Sequence, residues 1–297
     1  MLIQKNMKEK SLDMTNKEIF LCAICNIESG TCNEDCKFCT QSVRYKADIE
    51  RYKSKEIENI VNEAKRAKAN HANGFCLVTA GKGLTDKRLA FVCEAARAVK
   101  KENLGLIVIA CNGTASVEQL ETLKEAGVDA YNHNLETSRD FYPEIVTTHT
   151  WDERYQTCLN VNKVGLRLVC GGIFGLGETQ EQRLSMLESI ASLNPRNVPI
   201  NFFHPNKALP IVKNSVTRKE AFELIKLARK KVPAAEKIMI AGGRELMFGD
   251  EEYKVFDHGA NAIVIGDYLT TAGKETAEEI EALKTHGFKI LNECDAK

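Results

Sequence analysis

Net charge is the first thing this 297-residue chain lacks. Lys and Arg together number 41, and so do Asp and Glu. No overall field recruits nucleic acid or an anionic membrane, and no basic run interleaved with aromatics does so locally. A small-molecule substrate is the class left standing. Nowhere does an uninterrupted apolar run approach the roughly 18 residues of a membrane span. The charged start Met1-Leu2-Ile3-Gln4-Lys5-Asn6-Met7-Lys8-Glu9-Lys10 lacks the apolar core of a signal peptide. These absences set the expectation of a soluble, cytoplasmic protein with neither nucleic-acid nor membrane partners. Low-complexity linkers are missing too, so residues 1–18 read as a polar leader and 19–297 as one domain.

Against this background the 11 cysteines stand out. Cytosolic thiols stay reduced, so metal ligation is the default for cysteines that cluster and inert burial the default for the others. One set clusters tightly: Cys32-Asn33-Glu34-Asp35-Cys36-Lys37-Phe38-Cys39, a C-x3-C-x2-C loop just after an apolar run. Three thiolates on one short loop suit a four-iron cube and leave one iron open to a substrate or cofactor. A zinc knuckle is the alternative, but the next cysteine is Cys76, and no Cys or His completes the set at zinc-finger spacing.

The remaining pattern is an alternation. Short apolar runs read as strands at Ile19–Ile27, Gly74–Gly81, Leu106–Cys111, Asp129–Leu135, Leu166–Cys170, Val198–Phe203, Lys237–Ala241 and Ala262–Gly266. Helical patterns fall near Lys55–Ala69, Lys87–Lys100, Val117–Ala126, Gln180–Leu193, Lys219–Lys231 and Glu251–His258, and a charged helix Ala277–Gly287 covers an end. Eight strands alternating with helices predict an α/β fold, a (β/α)8 TIM-type barrel whose functional groups sit at the carboxyl ends of its strands. Cys76, Cys111 and Cys170 fall in or at the ends of three different predicted strands. Cys93 and Cys158 fall in helical patterns and Cys294 in the terminal tail, and none of these three is assigned a role.

The cysteine loop, with the aromatic Phe38 before its last cysteine, resembles the signature of radical S-adenosylmethionine enzymes. Its flanks Ser29-Gly30-Thr31, Thr40-Gln41-Ser42 and Arg44-Tyr45-Lys46 are similar to those of the biotin synthases, and the resemblance extends from about Ile19 to Thr271. It implies a 4Fe-4S cluster on Cys32, Cys36 and Cys39 whose open iron is chelated by S-adenosyl-L-methionine, and conversion of dethiobiotin to biotin by sulfur insertion. A 5'-deoxyadenosyl radical would abstract hydrogen, and an auxiliary iron-sulfur cluster, 2Fe-2S by resemblance, would donate the sulfur. Gly74-Phe75-Cys76, Ala110-Cys111 and Val169-Cys170-Gly171-Gly172 look like the positions that hold that auxiliary cluster. Tyr131-Asn132-His133-Asn134-Leu135-Glu136-Thr137-Ser138 resembles a family segment in which Asn134 and Glu136 face cofactor and substrate; a carboxylate suits two ribose hydroxyls. His133 reads as a satisfied barrel histidine. Gly171 to Thr179 contains G-x-I-x-G-x-x-E, placing Gly175 and Glu178 with Phe38 among the cofactor-binding residues, a plain glycine-rich turn being the alternative. Pro199-Ile200-Asn201 matches a segment whose Asn contacts the ureido ring of dethiobiotin. Ala241-Gly242-Gly243-Arg244-Glu245 is similar to a family turn, and a structural ion pair is its alternative. A reducing donor such as flavodoxin or ferredoxin and a homodimer are also implied.

One position departs from that pattern. Where the family's fourth auxiliary ligand is an arginine, five residues before Arg244, this chain has Met239, whose thioether is a weak neutral ligand. Cys22 and Cys25 lie on the first strand, three apart, so only one of them points inward. Cys22 is the expected replacement, giving a set of Cys22, Cys76, Cys111 and Cys170 and an auxiliary cluster larger than 2Fe-2S. Two readings compete with this one: another barrel-type radical enzyme, acting in diiron-hydrogenase maturation or amino-acid rearrangement, and a non-catalytic iron-sulfur sensor or scaffold.

Overall fold

The computed structural model describes residues 18–291; the predicted leader up to residue 17, and Cys294, lie outside the described residues. In chain order the strands are β1 (Glu18–Asn26), β2 (Gly74–Val78), β3 (Ile107–Cys111), β4 (Ala130–Asn132), β5 (Arg167–Val169), β6 (Gly172–Phe174), β7 (Asn197–Phe202), β8 (Lys237–Ile240), β9 (Ala262–Ile265) and β10 (Lys289–Ile290). The helices are α1 (Ile57–Ala69), α2 (Asp86–Lys101), α3 (Val117–Glu125), α4 (Tyr142–Ile145), α5 (Trp151–Val164), α6 (Gln180–Ser192), α7 (Arg218–Lys231), α8 (Arg244–Phe248) and α9 (Thr276–Thr285).

Every strand pairing is parallel, and β1 pairs with both β2 and β9, which closes the ring. The expected TIM-type (β/α)8 barrel is therefore present. Its fifth position is split: β5 pairs with β4, β6 lies beyond Cys170 and Gly171, and both halves meet β7. β10 lies outside the ring and pairs with the first two residues of β1.

Period-two alternation sorts the strand side chains into two layers. Phe20, Cys22, Cys76, Val78, Ile109, Val169, Met239 and Val264 fill the barrel interior. Leu21, Cys25, Phe75, Leu77 and Val108 pack outward under the helices. The helices have sequence-encoded starts: Ser116/Gln119, Thr150/Glu153, Thr179/Gln182 and Thr217/Glu220 form reciprocal capping boxes on α3, α5, α6 and α7. Helix α7 buries Ala221, Leu224, Ile225 and Ala228, the stripe that period 3.6 requires.

Two assignments change. Helix α5 received no range from its periodicity because its buried face mixes Thr157 and Cys158 with Trp151, Val161 and Val164, which dilutes the apolar stripe. The predicted helix at 251–258 is a 3-10 helix, Gly249–His258.

A barrel mouth lined with cysteine

The C-x3-C-x2-C loop leaves the carboxyl end of β1 and is tied down by its own flank. Cys32 pairs with Ser42 in a short bridge, the Ser42 hydroxyl donates to the Glu34 carbonyl at 2.5 Å, and the Tyr45 hydroxyl donates to the Asp35 carbonyl at 2.7 Å. The Asp35 carboxylate accepts from the backbone N–H groups of Thr147 and Thr148 at 2.9 and 3.2 Å. Burial would raise this carboxyl, but those bonds and the two threonine hydroxyls hold it down at about 2. The loop is thus anchored to the segment that precedes α5.

Burial pushes all three thiols of this loop up, Cys39 to about 12. Left alone, such thiols stay protonated, so as thiolates they need a cation beside them. A metal cluster supplies one, and a coordinated thiol is deprotonated outright. The donor set of the loop therefore fits an iron-sulfur cluster.

Phe38, Cys39, Thr40 and Gln41 line one side of a cavity of about 350 Å³ at the carboxyl ends of the strands. Cys22, Cys76, Cys111, Met239 and Val169 line it from the barrel wall, and Asn132, Asn134, Glu136, Ile173 and Asn201 from the strand ends. Cys22 belongs to the interior layer and Cys25 to the outer one, so the predicted split of that pair is what the strand adopts. Gly74, opposite Cys22 in the β1–β2 register, leaves room: a Cβ there would lie 3.2 Å from the Cys22 sulfur. The neighbouring Cys111 thiol, burial and Cys22 together push the Cys76 thiol well up.

Cys170 does not join them. It is fully buried in the outer layer, with its sulfur 3.8 Å from the sulfur of Cys158 on α5. The Cys158 thiol in turn donates to the His133 carbonyl at 3.2 Å. Alternation gives the inward position to Val169, so of the four cysteines expected at the auxiliary cluster the cavity wall gathers Cys22, Cys76 and Cys111, and Cys170 lies behind it.

Glu136 has φ +69, left-handed for a residue other than glycine, and its carbonyl accepts from Ile173 N–H at 2.8 Å. That strained turn aims the side chain at the cavity. One carboxylate oxygen accepts from Arg154 Nη2 at 3.0 Å, while Oε2 is buried with no hydrogen-bond partner among the described residues. Asn132 Oδ1 is a second orphaned acceptor in the same wall. Buried acceptors without donors fit a ligand carrying hydroxyl or ammonium groups, as S-adenosylmethionine does. Burial raises the Glu136 carboxyl and Arg154 partly opposes it. Sequence reasoning missed Arg154, which also donates from Nε to the Asn134 carbonyl at 2.6 Å.

Other assignments shift. The Glu178 carboxylate accepts from Gly175 N–H at 2.9 Å, Leu176 N–H at 2.7 Å and Arg183 Nε at 2.7 Å. Gly175 has φ +98 and packs against Asn214. Neither lines the cavity; both build the turn, and Ile173 of the same motif is the one that faces inward. The two expected cofactor contacts thus lie back from the cavity lining. Asn201 lines the cavity, yet its amide already donates to the Gly172 carbonyl at 3.2 Å and accepts from Gly242 N–H at 2.9 Å. His133 is held neutral by burial, and its Nε2 has no partner among the described residues, so it is less satisfied than expected. Arg244 follows its alternative reading, fully buried among Glu245, Glu252 and Glu279.

Barrel and cysteine loop together define a radical S-adenosylmethionine enzyme: residues 27–190 match the Radical SAM superfamily, and residues 199–289 the Biotin and Thiamin Synthesis associated domain. The fold is similar to an FeFe-hydrogenase maturase from Carboxydothermus hydrogenoformans, with TM-score 0.80, 18% identity and coverage of 94% of this chain and 69% of that one. It is also similar to a methylornithine synthase, with TM-score 0.78, 19% identity and coverage of 93% and 84%. The chain is 66% identical over 281 residues to a biotin synthase of Aliarcobacter butzleri, covering 95% of this chain and 99% of that one. A biotin synthase of Sulfurimonas denitrificans is 62% identical, with coverage of 93% and 99%. The chain belongs to the biotin synthase family.

Proposed function

We infer that this member of the biotin synthase family converts dethiobiotin to biotin in the cavity described above. Cys32, Cys36 and Cys39 hold the four-iron cluster, and Cys22, Cys76 and Cys111 hold the auxiliary one. The observation that carries the reading is that Cys39 of the loop and the set Cys22, Cys76 and Cys111 line one cavity with the orphaned carboxylate oxygen of Glu136 in its wall. When bound, the clusters and S-adenosylmethionine supply the electron, the hydrogen-abstracting radical and the sulfur. The chain supplies binding and alignment in a dry site. Glu136 Oε2 accepts from the cofactor's hydroxyls, the Asn134 side chain lies beside it, and Phe38 offers an apolar face. Asn201 meets the ureido group of dethiobiotin with the second hydrogen and second lone pair of its amide. Val78, Ile109, Val169 and Val264 keep water from the reacting carbon.

The auxiliary site offers three thiolates, and Met239 is a poor fourth ligand. Three thiolates fit a four-iron cluster with one open iron, by the same count as the Cys32 loop; a two-iron cluster needs a further ligand. A donor such as flavodoxin or ferredoxin, a homodimer and a cytoplasmic setting complete the reading. Anaerobic incubation with S-adenosylmethionine and reductant tests it: formation of 5'-deoxyadenosine should require dethiobiotin and accompany biotin. Product formation indifferent to dethiobiotin would point to another substrate, and none at all would point to a sensor or scaffold.

A further inference from the structure

We propose that His149 is a positioning residue that ties the cluster loop to the cofactor-facing side chains after β4. Its imidazole is buried between the cluster loop and α5. On one side Nδ1 lies 2.6 Å from Glu34 Oε2, inside the C-x3-C segment. On the other side Nε2 lies 3.3 Å from Arg154 Nη1 on α5. A guanidinium has donors only, so Nε2 must accept, and the ring carries its proton at Nδ1 and donates to Glu34. The tautomer is thereby set by its two partners.

From Arg154 the chain of bonds continues to the Asn134 carbonyl and to Glu136 Oε1. Cluster loop, His149, Arg154 and Glu136 thus form one continuous path, each link within hydrogen-bond distance. The ring is fixed further by an edge-on contact with Tyr142, centroids 5.9 Å apart, and by the adjacent Thr148 hydroxyl at 3.5 Å. A group that chelates the open iron must also satisfy Glu136, so the spacing between loop and Glu136 has to match one ligand. His149 sets that spacing. The inference rests on the reading that Asn134 and Glu136 face the cofactor.

The test uses full-length protein reconstituted anaerobically. His149→Phe keeps an aromatic ring and removes both hydrogen bonds. His149→Gln can restore both, donating its amide N–H to Glu34 and accepting from Arg154 with its carbonyl oxygen. Equilibrium binding of S-adenosylmethionine without turnover, iron content, and the change in the reduced cluster's EPR signal on adding the cofactor are read for each. His149→Phe should retain wild-type iron, bind the cofactor about tenfold more weakly or worse, the usual scale for outer-sphere partners, and show a blunted EPR change. His149→Gln should recover most of both. Wild-type affinity in His149→Phe would overturn the proposal, and so would a loss of iron in step with the loss of binding, which marks a structural role only. Glu136→Gln serves as the separate check on the underlying reading. If it binds the cofactor normally, the placement of Glu136 fails; if it weakens binding while His149→Phe does not, only the positioning role fails.

Discussion

Val169 and Cys170 are adjacent in the chain and face opposite sides of the barrel wall: Val169 lines the central cavity, whereas the Cys170 sulfur sits 3.8 Å from that of Cys158 under α5. On the outer face, the Cys170 thiol stands apart from Cys76 and Cys111. Cys170→Ala should therefore keep the full auxiliary iron and sulfide and cost about 1–2 kcal/mol of stability, the range for a small buried truncation. Cys22→Ala should lose the auxiliary signal. Iron analysis with Mössbauer spectra decides, and a Cys170→Ala protein stripped of auxiliary iron would reverse the assignment.

The eight strands were legible as short apolar runs, and the opposite facing of Cys22 and Cys25 as a consequence of period two, while the choice of Cys22 as the inward one came from the family resemblance. The position of Cys170 was not. It depends on where β5 breaks, and the break comes from a close approach of Gly171 to Pro199 on a strand nearly thirty residues away. Arg154 escaped for a similar reason. On α5 it is one charged residue in a polar first turn, and it acquires a role only when that turn packs beside the segment carrying Asn134 and Glu136. Glu178 was assigned to the cofactor from its motif, yet its carboxylate is consumed by the N–H groups of its own turn.

Gly171 gives a direct test of that break. A Cβ at this position would lie 1.8 Å from the Pro199 carbonyl oxygen, a backbone atom that cannot swing aside. Gly171→Ala should destabilise the protein by about 1–3 kcal/mol or more through overpacking and disturb the Asn134 Oδ1 contact to Gly171 N–H, now 3.0 Å. Urea unfolding monitored by circular dichroism measures it. A midpoint within error of wild type would mean that β7 can shift.

Acid should act through His149. Burial and the facing Arg154 lower its pKa and Glu34 partly opposes them, with Lys82 adding a smaller push downward. The folded value therefore lies below the unfolded one of about 6.5. As pH falls, the unfolded chain takes up the proton first, so the stability tied to the neutral ring is complete above about pH 6.5 and is lost as pH drops toward the folded value. Melting temperatures between pH 8 and 5 should fall more steeply for wild type than for His149→Gln, which has no proton to gain there. Parallel curves would sink this assignment.

Arg244 carries the heaviest electrostatic load. Its guanidinium is 1% exposed and reaches Glu252 at 2.6 Å, Glu245 at 3.2 Å and Glu279; Lys274 also pairs with Glu252. Burial alone would lower its pKa, but Glu279, Tyr268 and Glu252 outweigh burial and hold it above the ordinary arginine value. The ion cluster joins α8, the 3-10 helix and α9, directly after Gly242 and Gly243, which line the cavity. Removing the guanidinium leaves the buried carboxylate of Glu279 without its cation and Glu252 with Lys274 alone. Arg244→Met should cost about 3–5 kcal/mol, the usual penalty for an uncompensated buried charge, and Glu279→Gln in the same background should return part of it, because one stranded charge is then neutralised. A double-mutant cycle in urea measures the coupling. Additive losses would show that Arg244 and Glu279 do not depend on each other, and that the turn at Gly242 is held by packing alone.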